Sequence, residues 1–390
     1  LSVTAPAAPS RTLARVNDAT ALRARLARVP QLDAAALRHG CAQLGSLEAL
    51  CSAPLPQLLA AGVAPRVAQA LRVPDTAQLA ADLALAARHG LQLVAATDPH
   101  YPPALQAFAG MPAVLWVRGD CSALATPQLA MVGSRHPTAL GASTARQFAA
   151  WFARAGITIT SGLARGIDAA CHEGALGVGG LTLAVCGHGL DHIYPPENTA
   201  LAARIAASGA LLSEFPPGTP ARRRHFPQRN RLIAALSQGT LVVEAAIQSG
   251  SLGTARQAAA FGREVFALPG SIHSPVSRGC HQLIRDGAQL VESAPEVLEL
   301  LRIPFSNQLL NLHSAAGTDT LAPAPRLDKA QEILLDAVGF GPAGIDDLVA
   351  RTGLSGESIA SMLLILELEG EISVEPGGRY GRRRNMTNTP

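Results

Sequence analysis

Across the middle of the chain, short apolar runs alternate with longer amphipathic segments. Leu129–Val132, Ile157–Thr160, Leu181–Cys186, Ala210–Glu214, Thr240–Glu244, Glu264–Leu268 and Gln289–Val291 are each too short for a stable helix and predict strands. The Ala-rich stretch from roughly Gly141 to Ala155 and another from about Gly166 carry apolar residues at helical spacing. This βαβα alternation predicts an α/β fold built on a parallel sheet. The strand tips share a chemistry: Gly133-Ser134-Arg135, Ser161-Gly162, Val185-Cys186-Gly187, Glu244 to Thr254 and Leu268-Pro269-Gly270 put glycines and hydroxyls just before the next element. Backbone N–H groups and the helix dipole make such tips good seats for anions, so one edge of the sheet is the expected functional edge.

The flanks have different patterns. Residues 14–75 read as short helices joined by tight glycine turns, a small all-helical module of SAM/HhH-like character. Gly62-Val63-Ala64-Pro65 there resembles a helix–hairpin–helix turn. Residues 76–302 form the main unit. It opens with a helix over Leu79–His89 and strands over Gln92–Ala95 and Val114–Val117, expected as a lead-in layer to the sheet. Residues 303–326, with Pro304, Pro323 and Pro325, read as a linker. Residues 327–380 predict helices over Lys329–Ala337, Gly344–Thr352 and Gly356–Glu369, then a hairpin around Pro376-Gly377-Gly378, an order resembling a winged helix. Glu357, Glu367 and Glu369 on its last helix, with Asp346-Asp347 before it, oppose groove binding, which requires phosphate neutralisation. A protein-contact or degenerate role is expected instead. Residues 381–390 read as a basic, disordered tail.

Composition narrows the class. At 390 residues, 48% hydrophobic and 16% charged, the chain is a folding, multidomain sequence, and no run approaches the roughly 20 apolar residues that span a bilayer. The first residues lack the apolar stretch of a secretory signal. Six cysteines without a CxxC pair suit free thiols in a reducing cytoplasm better than disulfides or zinc. The net charge of +3 announces no polyanion, but its distribution does. Arg222-Arg223-Arg224-His225 and Gln228-Arg229-Asn230-Arg231 crowd around Phe226-Pro227, and Lys329 is the single lysine. Guanidinium groups stack on bases and grip phosphate through two contacts.

Standard enzyme fingerprints fail. No P-loop and no GxSxG elbow occur, and Gly187–His192 lacks the third glycine of a dinucleotide site. His188 and His192 sit in a turn-rich segment, and no metal or cofactor is expected. His172-Glu173 reads as a polar helix face or as support for the Gly133 loop. Four segments remain: Gly133-Ser134-Arg135; Ser161 to Asp168, with Gly162 and Arg165; the stretch Arg223–Arg231, with Phe226 as a stacking ring; and Ser249-Gly250-Ser251 to Thr254. Glycine alone at such tips is explained by tight turns. All four at one sheet edge suit phosphate and base binding.

The strings VGSRHPTALG, TSGLARGIDAACHEGAL, AVCGHGLDHIYPPEN, LLSEFPPGT, HFPQRNRLIAALS, VVEAAIQSGSLGTARQA, REVFALPGS and GCHQLIRDGAQLV closely resemble the DprA/Smf family of bacterial natural transformation. The resemblance runs from roughly Gln92 to Leu301. It implies an extended Rossmann-like fold that binds single-stranded DNA without hydrolysing it, protects incoming strands, helps load the RecA recombinase and dimerises. By motif, DNA would be bound by Gly133, Ser134, Arg135, Gly162, Arg165, Arg223, Phe226, Arg229, Asn230, Arg231, Ser249, Gly250 and Ser251. The dimer contact would fall between His281 and Leu290. Leu140 and Gly253 depart from residues often found in relatives. The alternative is a Rossmann-like enzyme on a small nucleotide, of the phosphoribohydrolase type, but its PGGxGTxxE glutamate is missing from GSLGTARQA. A nicotinamide oxidoreductase would need the missing dinucleotide fingerprint.

Overall fold

The computed structural model describes residues 18–303, 329–339, 343–368, 371–375 and 377–382. Residues 14–17 of the helical module, 304–326 of the expected linker and 383–390 of the expected tail lie outside the described residues.

The chain begins with α1 (Asp18–Ala27), α2 (Ala34–Leu44), α3 (Leu47–Ser52), α4 (Leu55–Ala60), α5 (Pro65–Arg72) and α6 (Thr76–His89). Next come β1 (Gln92–Ala95), α7 (Pro103–Gln106), β2 (Val114–Gly119), β3 (Gln128–Val132), α8 (Ala139–Arg154), β4 (Thr158–Ser161), α9 (Ile167–Gly177) and β5 (Thr182–Cys186). The main unit closes with α10 (Thr199–Ser208), β6 (Ala210–Ser213), α11 (His225–Leu236), β7 (Gly239–Val242), α12 (Gly250–Ala260), β8 (Glu264–Ala267), α13 (Arg278–Arg285), β9 (Gln289–Leu290) and α14 (Ala294–Leu300). The strands form one nine-stranded sheet in the order β1-β2-β6-β5-β4-β3-β7-β8-β9. From β6 through β9 every pairing is parallel. β1 and β2 do not make a separate lead-in layer. They pair antiparallel in the plane of the same sheet, β2 against β6.

The position of β3 explains why Leu129–Val132 is an unbroken apolar run. Leu129 and Met131 pack with Phe148 and Phe152 of α8 on one face, while Ala130 and Val132 pack with Leu232 and Leu236 of α11 on the other. A strand buried on both faces needs no polar alternation. β3 is also where the winding reverses: the chain runs outward through β4, β5 and β6, then returns to place β7 on the other side of β3. In open α/β sheets the crevice outside the carboxyl ends of strands at such a reversal is where ligands bind.

The N-terminal helices share the sheet's core. Leu26, Leu37, Leu50, Leu58 and Leu71 belong to the same buried cluster as Val94, Val114 and Leu115. Two bidentate ion pairs reinforce the docking: Arg23 to Asp98 and Arg28 to the buried Asp82, each with two bonds of 2.7 Å. The C-terminal residues form helices over Lys329–Val338, Ile345–Thr352 and Gly356–Leu368 and a hairpin of Ile372–Glu375 with Arg379–Arg382, around their own core of Leu334, Leu348, Ile359, Leu363 and Leu366. Gly381 and Arg382, expected in the tail, belong to this hairpin. Among the described residues no single helix is long and apolar enough to cross a membrane.

Candidate functional site

The loop leaving β3 is fixed at both ends by one residue beyond β7. The Ser134 amide donates to the Glu244 carbonyl at 2.6 Å, and the Glu244 carboxylate accepts from the Thr138 amide at 2.9 Å and its hydroxyl at 2.7 Å. Thr138 in turn caps α8 through the Gly141 amide, at 2.9 Å. The anion at this helix N-terminus is therefore the protein's own carboxylate. The Ser134 carbonyl accepts from Ile167 at the start of α9, at 3.0 Å. A Cβ at Gly133 would lie 2.7 Å from the Ile167 side chain and 2.8 Å from the Glu244 carbonyl, so the crossing needs glycine. This frame leaves Arg135 exposed, its guanidinium carbon 5.5 Å from the centroid of the Phe226 ring.

Behind β4 the design is internal. The amides of Gly162 and Ala164 donate to one Asp168 oxygen at 3.1 and 3.3 Å. Burial raises the Asp168 pKa, opposed by the nearby Arg229 charge, and burial lowers that of Arg229. Arg229 donates to the Val185 carbonyl, and a Cβ at Gly162 would fall 2.2 Å from its guanidinium. His172 is no surface group: it is fully buried on Thr182, with burial and then the Arg229 charge lowering its pKa to about 3.

The basic run is sorted by helical geometry. His225, Arg229, Leu232, Ile233 and Leu236 share the buried face of α11. Arg229, at 4% exposure, is thus a support beneath the strand tips rather than the surface phosphate contact expected of it. Arg231 is also diverted, pairing with the carboxylate of Glu214 at 2.5 Å. Phe226 and Asn230, one turn apart, face the crevice, where the Asn230 amide donates to the Gly250 carbonyl at 3.3 Å. Arg222, Arg223 and Arg224 stand exposed before this helix. Arg165 is exposed and pairs with Glu197 on the adjoining loop.

At α12, Ser249 caps the helix through the Ser251 amide, and the two hydroxyls lie 2.6 Å apart. Gly250 is exposed, with nothing within 4 Å of where its Cβ would stand, so the fold itself does not demand glycine there. The crevice thus brings together Gly133, Ser134, Arg135, Phe226, Asn230 and Ser249–Ser251, with Gly162 below them. Sequence reasoning missed Glu244 as the anchor of the Arg135 loop and Tyr194 beside Phe226, with ring centroids 5.8 Å apart. No spacing signal links Glu244 to Thr138, which lie 106 residues apart. The His188 and His192 rings lie 4.8 Å apart and tilted by 35°, and among the described residues no group of three or more His, Cys, Asp or Glu could hold a metal ion.

At the far end of the sheet, β9 pairs with β8, while Gln289 and Leu290 are both exposed, Leu290 at 49%. His281 is half-buried and lies 3.0 Å from the carbonyl of the exposed Gly270.

A family model described as DNA recombination-mediator protein A matches residues 92–302, and one described as DprA winged helix domain matches residues 318–378. The chain is 44% identical over 298 residues to Protein Smf of Escherichia coli (strain K12), covering 75% of this chain and 78% of that protein. It is 41% identical over 220 residues to DNA processing protein DprA of Bacillus subtilis (strain 168), covering 56% and 74%. Among solved structures it is similar to DNA processing protein A of Streptococcus pneumoniae, with 34% identity, a TM-score of 0.62 and coverage of 74% of this chain and 98% of that one. The Helicobacter pylori DNA processing protein A gives 29% identity, a TM-score of 0.51 and coverage of 55% and 97%; its structure is described as revealing a unique single-stranded DNA binding mode. With the family model spanning the sheet and the E. coli protein matched over most of both chains, this chain belongs to the DprA/Smf family.

Proposed function

We infer that the protein binds single-stranded DNA in the crevice at the β3–β7 reversal, without cleaving it, and acts as a recombination mediator. The observation that carries this reading is Arg135: an exposed guanidinium held over an aromatic ring at the strand reversal. A sequence-independent single-strand site needs charge for the backbone and π-faces for the bases, and this crevice offers both. Arg135 and Arg223 would neutralise phosphates, the Ser249–Ser251 turn would approach the backbone closely, and Phe226 would meet a base. Arg165 lies at the periphery, already paired. Asp168 and Glu244, two of the carboxylates at this edge, are engaged in holding loops, which suits a binding site better than acid–base catalysis. The Helicobacter pylori relative supports the single-strand assignment.

The finer reading is that the protein protects incoming DNA and helps load RecA during natural transformation, in the cytoplasm, as a homodimer joined near His281 and Leu290. Free cysteines suit that reducing compartment. In this reading residues 14–75 are a helical module, 76–302 the DNA-binding unit and 327–380 a winged-helix-like unit reached through a linker at 303–326.

Equal-length single- and double-stranded oligonucleotides titrated across salt concentrations test the proposal. Single strands bind tighter, and Arg135→Ala lowers their affinity by about 1.5–3 kcal/mol while reducing the salt slope by about 0.7, with an unchanged melt. Equal binding of both forms, or unchanged affinity in the variant, places the DNA elsewhere.

A further inference from the structure

Phe226 is half-buried and has Arg135 over its ring, so the surface it offers a base is limited. The ring beside it extends that surface. Tyr194 is 45% exposed, with its plane tilted 37° to that of Phe226. Singly exposed aromatic residues are ordinary. Tyr194 differs because it lies beside the ring that carries the exposed Arg135 guanidinium, at the same sheet edge.

Its loop is also held in place. Leaving β5, the Gly189 amide donates to the Thr219 carbonyl at 2.9 Å and Asp191 accepts from the Gly218 amide at 2.8 Å. Ile193 packs against the cluster containing Leu190. Beyond it, Asn198 donates to the carbonyls of Leu163 and Ala164 at 2.9 and 3.3 Å, tying this loop to the one that follows β4. A ring fixed on such a loop loses little freedom when it meets a flat ligand.

We propose that Tyr194 and Phe226 form a two-ring platform that stacks unpaired bases of the bound strand, with Tyr194 supplying the more exposed ring. This deepens the proposed function and rests on it. It also gives a reason for discrimination against duplex, whose bases hide their faces in the stack. Arg135 serves the backbone and the platform serves the bases, so the two are separable by experiment.

The probes are a thymidine oligonucleotide and an equally long strand of abasic sites, each titrated into the full chain. Tyr194→Ala weakens binding of the thymidine strand roughly tenfold, the scale of one base on an aromatic ring, and leaves the abasic strand unchanged. Tyr194→Phe keeps the wild-type preference, and Tyr194→Leu, which fills space without a π-face, behaves as the alanine variant. Unchanged thymidine binding in Tyr194→Ala overturns the proposal, as does equal loss on both strands. If the unaltered protein binds neither strand, the underlying single-strand reading falls with it. Binding of the unaltered protein with an indifferent Tyr194 removes the platform alone.

Discussion

Glu244 holds the Ser134 amide with its carbonyl and Thr138 with its carboxylate, so both ends of the loop presenting Arg135 depend on one side chain and its backbone. Charge-assisted hydrogen bonds of this kind contribute about 1.5–3 kcal/mol, and loss of the carboxylate leaves the Thr138 amide and the start of α8 without their anion. Glu244→Ala is therefore expected to lower the melting temperature and to weaken single-strand binding about tenfold through Arg135. Glu244→Gln, which keeps an acceptor, recovers part of both. A double-mutant cycle with Arg135→Ala separates positioning from general destabilisation. If the binding losses add independently, Glu244 does not act through Arg135.

At the scale of the element, α11 turns an apparently uniform basic run into three classes of residue. Its buried face takes Arg229, its flank gives Arg231 to Glu214, and Phe226 and Asn230 are left at the crevice. The C-terminal helix Gly356–Leu368 shows the opposite charge: Glu357 and Glu367 are exposed beside Leu364, an unfavourable surface for a DNA groove. Removing residues 327–390 should leave most single-strand affinity, within about 0.5 kcal/mol, the usual size of change away from a binding feature. A gel-shift comparison of full-length and shortened chains checks this. Loss of nearly all binding would assign the winged-helix-like unit a direct role.

For the molecule as a whole, the open side of β9 matters most. A terminal strand presents unpaired backbone groups that must be covered or paired, and β9 adds the exposed Leu290 to them. A two-fold contact there would satisfy the edge and carry two crevices on one particle. Long strands would then gain affinity through effective concentration rather than new contacts. Leu290→Arg is expected to give a monomer by light scattering. It should keep its affinity for short oligonucleotides and lose tenfold or more of its advantage on long ones. A variant that stays dimeric would rule out this interface without touching the crevice.

Local pattern determined the alternation of strands and helices, because short apolar runs between amphipathic segments can be buried in few other ways. It also located the glycine-rich tips, since these are backbone requirements written in consecutive residues. The same reading gave the acidity of the last helix and the membership of long motifs in a family. What it could not contain were relations between residues far apart in the chain. The reversal at β3 is set by β7 arriving from the far side of the sheet. Arg229 looked like a phosphate ligand because its neighbours are basic, yet the turn angle of α11 puts it beneath Gly162. Glu244 became an anchor, and Tyr194 a partner of Phe226, only when packing brought β7 to α8 and the β5 loop to α11. Charge and shape along the chain selected the chemistry of the crevice. Tertiary packing selected which side chains were left free to perform it.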